Sequence, residues 1–271
     1  ADVTLLVAAG KEAHSFEPTP LDAVTISEAD VFLYNGGESE VWVSEMLGAV
    51  GEDVGTIVCM MDYVDAIEEE FVPGMQDGET HEHSGAEEQE EHESEAEYDE
   101  HIWTSPRNAA ALCWAICDAL CEADAGHADQ YEENCAAYCT ELEVLDQQLR
   151  ELREAAVRDT LVFADRFPLL YFCREYDLNY YAAFHGCSTD TEPSLATLKF
   201  LIDLVREQAI PVVYTVDLSS QKIAEAVSEC TGARIERLWS LQTVSREDFA
   251  QGETYVSLMQ RNIKALKEGL L

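Results

Sequence analysis

The sequence predicts an α/β protein of two lobes, each built on a parallel sheet, joined by one long helix. Strand and helix patterns alternate in each half of the chain, which favours parallel sheets with helical crossovers. Between the halves, residues 127–157 lack Gly and Pro and keep helical periodicity throughout. At 1.5 Å per residue such a helix spans roughly 45 Å, which is longer than one lobe requires.

The first half contains three strand patterns separated by helix patterns. We expect strands at 3–8 (VTLLVA), 31–34 (VFLY) and 56–60, and helices at 20–30, 39–48 and 106–122. Pro106 stands at a first-turn position of the last of these helices, where its missing N–H costs nothing.

The second half repeats this alternation. We expect strands at 161–164, 180–184, 211–216 and 234–238, and helices at 168–176, 193–208, 219–231 and 247–269. The predicted organisation is therefore an N-terminal α/β lobe at 1–122, a linking helix at 123–158 and a C-terminal α/β lobe at 159–271.

The charge of the chain restricts its partners. Its 271 residues include 16 Lys or Arg and 55 Asp or Glu, for a formal charge of −39. Binding to nucleic acid requires clustered basic residues that neutralise phosphates, so no nucleic-acid partner is expected. Cations are the natural ligands of such a negative field. No run of about 18 apolar residues is present that could cross a bilayer.

Residues 68–100 form an acidic segment that differs from the rest of the chain. Almost half of its residues are acidic, none is Lys or Arg, and it carries His81, His83 and His92. Repulsion between like charges and the shortage of apolar residues predict a mobile loop. Two interpretations remain open: a solvated insertion without function, or a weak, exchangeable site for metals such as zinc.

Five of the nine cysteines have helical spacing. Cys113, Cys117 and Cys121 recur at intervals of four residues, and Cys135 and Cys139 repeat that interval. They are either small apolar residues in a seam between two helices or partners in cross-helix disulfides of an exported protein. The spacing is compatible with both interpretations.

Common catalytic motifs are missing from the sequence. It contains no GxGxxG, GxxxxGK[ST], GxSxG or HExxH pattern, so we expect no enzyme. Two histidines instead lie where a ligand would bind beyond the ends of parallel strands. His14 is predicted to follow a strand, and His101 immediately precedes a predicted helix.

Three motifs carry a family resemblance. They are His14-x-x-Glu17-Pro18-Thr19-Pro20, His101-x-Trp103-x-x-Pro106-Arg107-Asn108 and Glu192-Pro193-Ser194. Over essentially the whole chain, the sequence resembles the metal-binding lipoproteins of zinc and manganese ABC importers. Such proteins are two-lobed solute-binding proteins with a rigid linking helix. They capture a divalent cation between the lobes and deliver it to the permease.

The resemblance implies further properties. We expect an extracytoplasmic monomer, in the periplasm or on the outer face of the cell membrane, that partners a divalent metal ion and an ABC permease. It would contact the membrane only through an N-terminal lipid anchor that is absent from this chain. Family members usually carry a further β-α unit ahead of Val3, so we expect either that this chain is a fragment or that its first lobe is one unit short.

The resemblance also implies a metal-ligand set of His14, His101, His185 and Asp217. The family's third ligand falls at Ala164, which cannot coordinate, so His185 is the expected replacement. Asp165, Cys187 and a histidine of the acidic segment remain the alternatives for that position. Asp217 follows a predicted strand where the family carries Asp or Glu. It could instead cap the helix predicted to begin at Ser219.

The donor set favours zinc. Two or three imidazoles with one carboxylate suit four-coordinate Zn2+, whereas Mn2+ prefers more oxygen ligands. We therefore expect a zinc receptor of an ABC importer. The alternatives are a manganese or iron receptor of the same family, and a metal-binding adhesin or scavenger without a transport role.

Overall fold

A computed structural model describes residues 1–11, 16–51, 53–75, 97–188 and 192–271. Within these ranges the strands are β1 (Val31–Tyr34), β2 (Thr56–Cys59), β3 (Thr160–Phe167), β4 (Asn179–His185), β5 (Val212–Val216) and β6 (Arg234–Leu238). The helices are α1 (Pro20–Ser27), α2 (Trp42–Val50), α3 (Pro106–Ala123), α4 (Ala128–Ala155), α5 (Leu170–Glu175), α6 (Leu195–Glu207), α7 (Lys222–Thr231), α8 (Arg246–Ala250) and α9 (Tyr255–Leu270). The predicted fold class, two α/β lobes with a long joining helix, is confirmed.

The C-terminal lobe is built on a parallel sheet in the order β4-β3-β5-β6. Successive side chains of a strand point to opposite faces, and the two central strands bury both faces. Val162 and Val213 pack in one core cluster with residues of α6 and α7. Their neighbours Phe163 and Tyr214 pack in another with residues of α4 and α9. The carboxyl ends of all four strands therefore meet at one edge.

The sheet of the N-terminal lobe pairs β1 with β2 in parallel. The strand predicted at 3–8 is wrong, because residues 1–11 form no strand and the side chains of Val3 and Leu5 are 82% and 62% exposed. A strand requires a neighbour for its backbone hydrogen bonds. The backbone N of Gly10, which follows residues 3–8, donates a hydrogen bond to Val244 O of the C-terminal lobe, at 2.8 Å.

The single helix predicted at 247–269 is also wrong, since the structure divides it into α8 and α9. Gly252 follows α8 and adopts a left-handed φ of +77°, a backbone conformation that ends a helix. Thr254 then begins α9 with a capping box, in which its hydroxyl accepts from Ser257 N and the Ser257 hydroxyl accepts from Thr254 N.

The long helix α4 joins the two lobes. It has 28 residues, which corresponds to about 42 Å. Its C-terminal half buries Leu142, Leu145 and Leu149 in the core that contains β3 and α9. Its N-terminal half packs on α3. Of the helices in the described ranges, none has both the length and the apolarity needed to cross a membrane.

The cysteines of α3 and α4 form a buried seam. Cys117, Cys135 and Cys139 lie in one cluster, and all nine cysteines of the chain are free thiols. Neighbouring Sγ atoms along each helix are 4.0 Å apart in Cys117–Cys121 and 3.9 Å apart in Cys135–Cys139. Burial raises the pKa of Cys113 to about 11 and that of Cys135 to about 12. The five cysteines therefore pack as a seam of free thiols between α3 and α4.

Candidate metal site

His101 is held in a fully buried position between the two lobes. Asp99, Glu100 and His101 are 2%, 3% and 0% exposed. The backbone N of His101 donates to Asp99 Oδ1 at 2.8 Å, and its ring Nδ1 lies 3.3 Å from the same oxygen. The Thr104 hydroxyl donates to His101 O at 2.8 Å. Main chain and ring of His101 are therefore both fixed by residues within three positions of it.

The remaining residues of the His101 motif connect this histidine to its surroundings. Trp103 Nε1 donates to Ser240 O of the C-terminal lobe, at 2.9 Å. Asn108 Nδ2 donates to Ile102 O at 3.0 Å, and its backbone N donates to the hydroxyl of Ser105, the N-cap of α3. The motif thus starts α3 and attaches the turn before that helix to the opposite lobe.

Glu100 anchors the loop after β1. Its two carboxylate oxygens accept from the backbone N and the hydroxyl of Ser39. Gly37 adopts a φ of +93°, and a Cβ at this position would lie 2.5 Å from Glu100 Oε1. Glycine is required here because both the backbone conformation and the close approach exclude a side chain.

His185, the last residue of β4, lies beside Glu69 and Phe71 at the start of the acidic segment. Its Nδ1 is 3.1 Å from Glu69 Oε1, and its ring centroid is 5.6 Å from that of Phe71. The next residue, Gly186, faces His101: a Cβ on Gly186 would lie 2.8 Å from His101 Cε1. The structure therefore places the His185 loop of the C-terminal lobe against the His101 ring.

Asp217 follows β5 and is 9% exposed. Its Oδ1 accepts from Ser240 N at 2.5 Å. Burial raises the pKa of Asp217, although the hydrogen bonds from Ser240 oppose this shift. Asp217 does not cap a helix, because α7 begins at Lys222 with Gln221 as its N-cap. Instead it lines a cavity together with Gly186, Arg166, Ser240 and Gln242.

Ala164, where the resemblance places the family's third ligand, and its neighbour Asp165 are both buried. Ala164 is completely buried in the core beneath α6 and α7. Asp165 Oδ2 accepts from Val216 N at 3.1 Å and its Oδ1 from Arg166 N at 2.8 Å. Burial raises the pKa of Asp165 against these hydrogen bonds. Asp165 therefore supports the turn that presents Asp217.

Cys187 lies close to three carboxylates. Burial raises its pKa, and the charges of Glu100, Glu69 and Asp99 raise it further. A metal is bound by the thiolate rather than the thiol. These surroundings favour the protonated thiol of Cys187.

Several of the predicted ligands lie outside the described residues. These are His14 and the acidic-segment histidines His81, His83 and His92. Within the ranges that the structure describes, no three His, Cys, Asp or Glu side chains are grouped closely enough to hold a metal. The structure brings His101 together with the His185 loop, and it places Asp217 in the cavity that Gly186 also lines.

Sequence reasoning missed two carboxylates of this site, Asp99 and Glu69. The Asp-x-His spacing of Asp99 and His101 is a local signal from which their contact could have been found. Glu69 lies 116 residues from its partner His185, and no local pattern links them.

Two α/β lobes with parallel strands, joined by one long helix, define the architecture of a two-lobed solute-binding protein. Residues 1–269 match the family described as "ZnuA: Zinc-uptake complex component A periplasmic". The chain belongs to this family, and it is accordingly an extracytoplasmic protein.

Relatives and a solved structure agree with this assignment. The chain is 32% identical over 269 residues to the "Zinc-binding lipoprotein AdcA" of Streptococcus pneumoniae serotype 4, covering 99% of this chain and 51% of that protein. It thus spans about half the length of that relative. It is 30% identical over 270 residues to the "High-affinity zinc uptake system protein ZnuA" of Bacillus subtilis strain 168, covering 100% and 81%. The zinc-bound ZnuA-like domain of S. pneumoniae AdcA superposes with a TM-score of 0.78 at 29% identity, covering 100% and 91%.

Proposed function

We propose that this protein is the receptor of an ABC importer, which captures Zn2+ between its lobes and passes it to the permease. The observation that carries the proposal is the contact of Gly186 with the His101 ring, which brings two histidine-bearing segments from opposite lobes together. The proposed ligands are His14, His101, His185 and Asp217. Zinc is the cargo of this site.

The chemistry of these donors fits the cargo. Imidazole nitrogens with one carboxylate match the four-coordinate sites that zinc prefers, and the negative charge of the chain concentrates cations around it. The named relatives are zinc-binding and zinc-uptake proteins. We propose a monomeric receptor whose partners are the metal ion and the permease, and we propose no catalytic role.

Competition titration of the metal-free protein tests this function. Zinc should bind far more tightly than manganese, and His14→Ala, His101→Ala, His185→Ala and Asp217→Asn should each weaken zinc binding by at least tenfold. His127→Ala is the matched control, because its side chain is 72% exposed and contacts Asp124 at the start of α4.

If manganese bound more tightly than zinc, the proposed function would change from a zinc receptor to a manganese receptor. Unchanged zinc affinity in both His14→Ala and His101→Ala would contradict the site. If zinc bound as proposed but the protein neither associated with an ABC permease nor supported zinc uptake, a scavenger or adhesin role would replace transport.

A further inference from the structure

The two ends of the acidic segment pair with each other, contrary to the loop predicted over all of 68–100. Glu68 and Tyr98 form an antiparallel bridge. Glu69 N donates to Glu97 O at 2.8 Å, and Asp99 N donates to Ile67 O at 2.9 Å. We call residues 67–70 and 97–99 the acidic-segment base.

This base is attached to the C-terminal lobe through a buried tyrosine. The Tyr171 hydroxyl donates to Asp99 O at 2.9 Å and accepts from Ile67 N at 3.1 Å, so that it contacts both strands of the base. Glu70 pairs with Arg174 and accepts from the Tyr180 hydroxyl. The base therefore has a defined position beside the end of β4.

Each strand of the base provides one carboxylate to one imidazole of the proposed site. Glu69 Oε1 lies 3.1 Å from His185 Nδ1, and Asp99 Oδ1 lies 3.3 Å from His101 Nδ1. The side chains of Glu69 and Asp99 are 8% and 2% exposed, so that bulk water competes little with these contacts. In metal sites, a ligating histidine typically donates its other ring N–H to such a carboxylate, which fixes its tautomer and ring orientation.

We propose that Glu69 and Asp99 are positioning residues for zinc capture, each of which orients one histidine by accepting a hydrogen bond from Nδ1. This inference rests on the proposed function and assigns the acidic-segment base a role in it. A proton held on Nδ1 leaves the lone pair on Nε2, which is the nitrogen that coordinates. The base thereby fixes one imidazole from each lobe in the tautomer that zinc requires.

Glu69 provides the cleaner test, because Asp99 also accepts from the His101 backbone N, so its removal would disturb the main chain. Glu69→Ala should weaken zinc binding by about tenfold to a hundredfold, the usual effect of removing an outer carboxylate. It should also shift the visible absorption bands of the Co2+-substituted protein. Glu69→Gln, whose amide oxygen can accept from Nδ1, should recover part of the affinity.

The neighbouring residue provides the matched control. Glu70→Ala removes the same charge and an ion pair to the same lobe, but contacts Arg174 and Tyr180 rather than a histidine. It should leave zinc affinity and the Co2+ spectrum unchanged within about twofold. A purely electrostatic or structural effect of the base would appear equally in both variants.

A double-mutant cycle with His185→Ala identifies how Glu69 acts. Glu69→Ala should have no further effect in the His185→Ala background, because Glu69 acts through that imidazole. A full additional loss there would overturn the positioning role and make Glu69 a direct ligand. Unchanged affinity of the single Glu69→Ala variant would also overturn it, while leaving the zinc receptor itself intact. Failure of the unaltered protein to bind zinc would overturn both.

Discussion

The approach of Gly186 to His101 is the single-residue feature on which the site depends most directly. A Cβ at position 186 would lie 2.8 Å from His101 Cε1 and 2.9 Å from the carbonyl oxygen of Phe167. One of these neighbours is backbone, which cannot rotate away. The absence of a side chain at Gly186 therefore permits the two lobes to meet at the histidines.

Gly186→Ala should displace the His101 ring and weaken zinc binding, and it should lower the unfolding free energy by about 1–3 kcal/mol, as overpacking usually does. Calorimetric zinc titration and urea denaturation measure the two effects. Gly48→Ala is the control, because no atom lies within 4 Å of a Cβ added there. Zinc affinity equal to that of the Gly48→Ala variant would show that this contact does not support the site.

For single residues, the sequence predicts those contacts that are made by neighbours in the chain. The His101 motif is local, and its Asn108 bonds Ile102 O only six positions away. The contact of His185 with Glu69 depends on the packing of β4 beside the acidic-segment base, so no sequence spacing encodes it. The assignment of His14 and of the complete ligand set stays a prediction.

Among the elements, the turn between His101 and α3 is hydrogen-bonded to the C-terminal lobe at two points. Trp103 Nε1 donates to Ser240 O, and the Tyr255 hydroxyl of α9 donates to Trp103 O, both at 2.9 Å. Ser240 N in turn donates to Asp217. The turn that carries His101 is thereby linked to the loop that holds Asp217.

Trp103→Phe should lower the melting temperature and weaken zinc binding by a few fold. It removes one hydrogen bond, worth about 0.5–1.5 kcal/mol, and loosens the link to Ser240. Differential scanning calorimetry with and without zinc measures both effects. Trp114→Phe, at a 42% exposed position of α3, is the control. Equal melting temperatures in the two variants would contradict a linking role for Trp103.

Most elements were predictable because their signals are local. The strand β1 was predicted at its observed bounds, and α3 begins at Pro106 as expected. The failures at 3–8 and 247–269 depend on context. Residues 3–8 have strong strand propensity but no strand partner, and the break at Gly252 depends on a left-handed residue that helical periodicity does not reveal.

For the whole molecule, we expect the tight site between the lobes and the charge of the acidic segment to act separately. Replacing residues 76–96 by a short Gly-Ser linker keeps the acidic-segment base and Glu69. Tight zinc binding should persist within about twofold, weaker binding equilibria should disappear, and capture should slow at low ionic strength, where the negative field reaches furthest. Calorimetry and stopped-flow kinetics measure these effects.

A second variant separates coordination from charge in that segment. Neutralising its Asp and Glu residues between 76 and 96 while keeping His81, His83 and His92 should slow capture as the deletion does. Loss of the tight equilibrium in the deletion alone would instead make one of these histidines a primary ligand, filling the position at which Ala164 stands.

The central claim is that one zinc ion binds between the lobes at His101. Anomalous diffraction at the zinc absorption edge from crystals of the zinc-loaded protein tests it most directly. The account predicts a dominant peak about 2.0–2.1 Å from a ring nitrogen of His101, with His185 and Asp217 among its ligands. A dominant peak that lacks His101, for example among the thiols of the α3–α4 seam, would contradict the account.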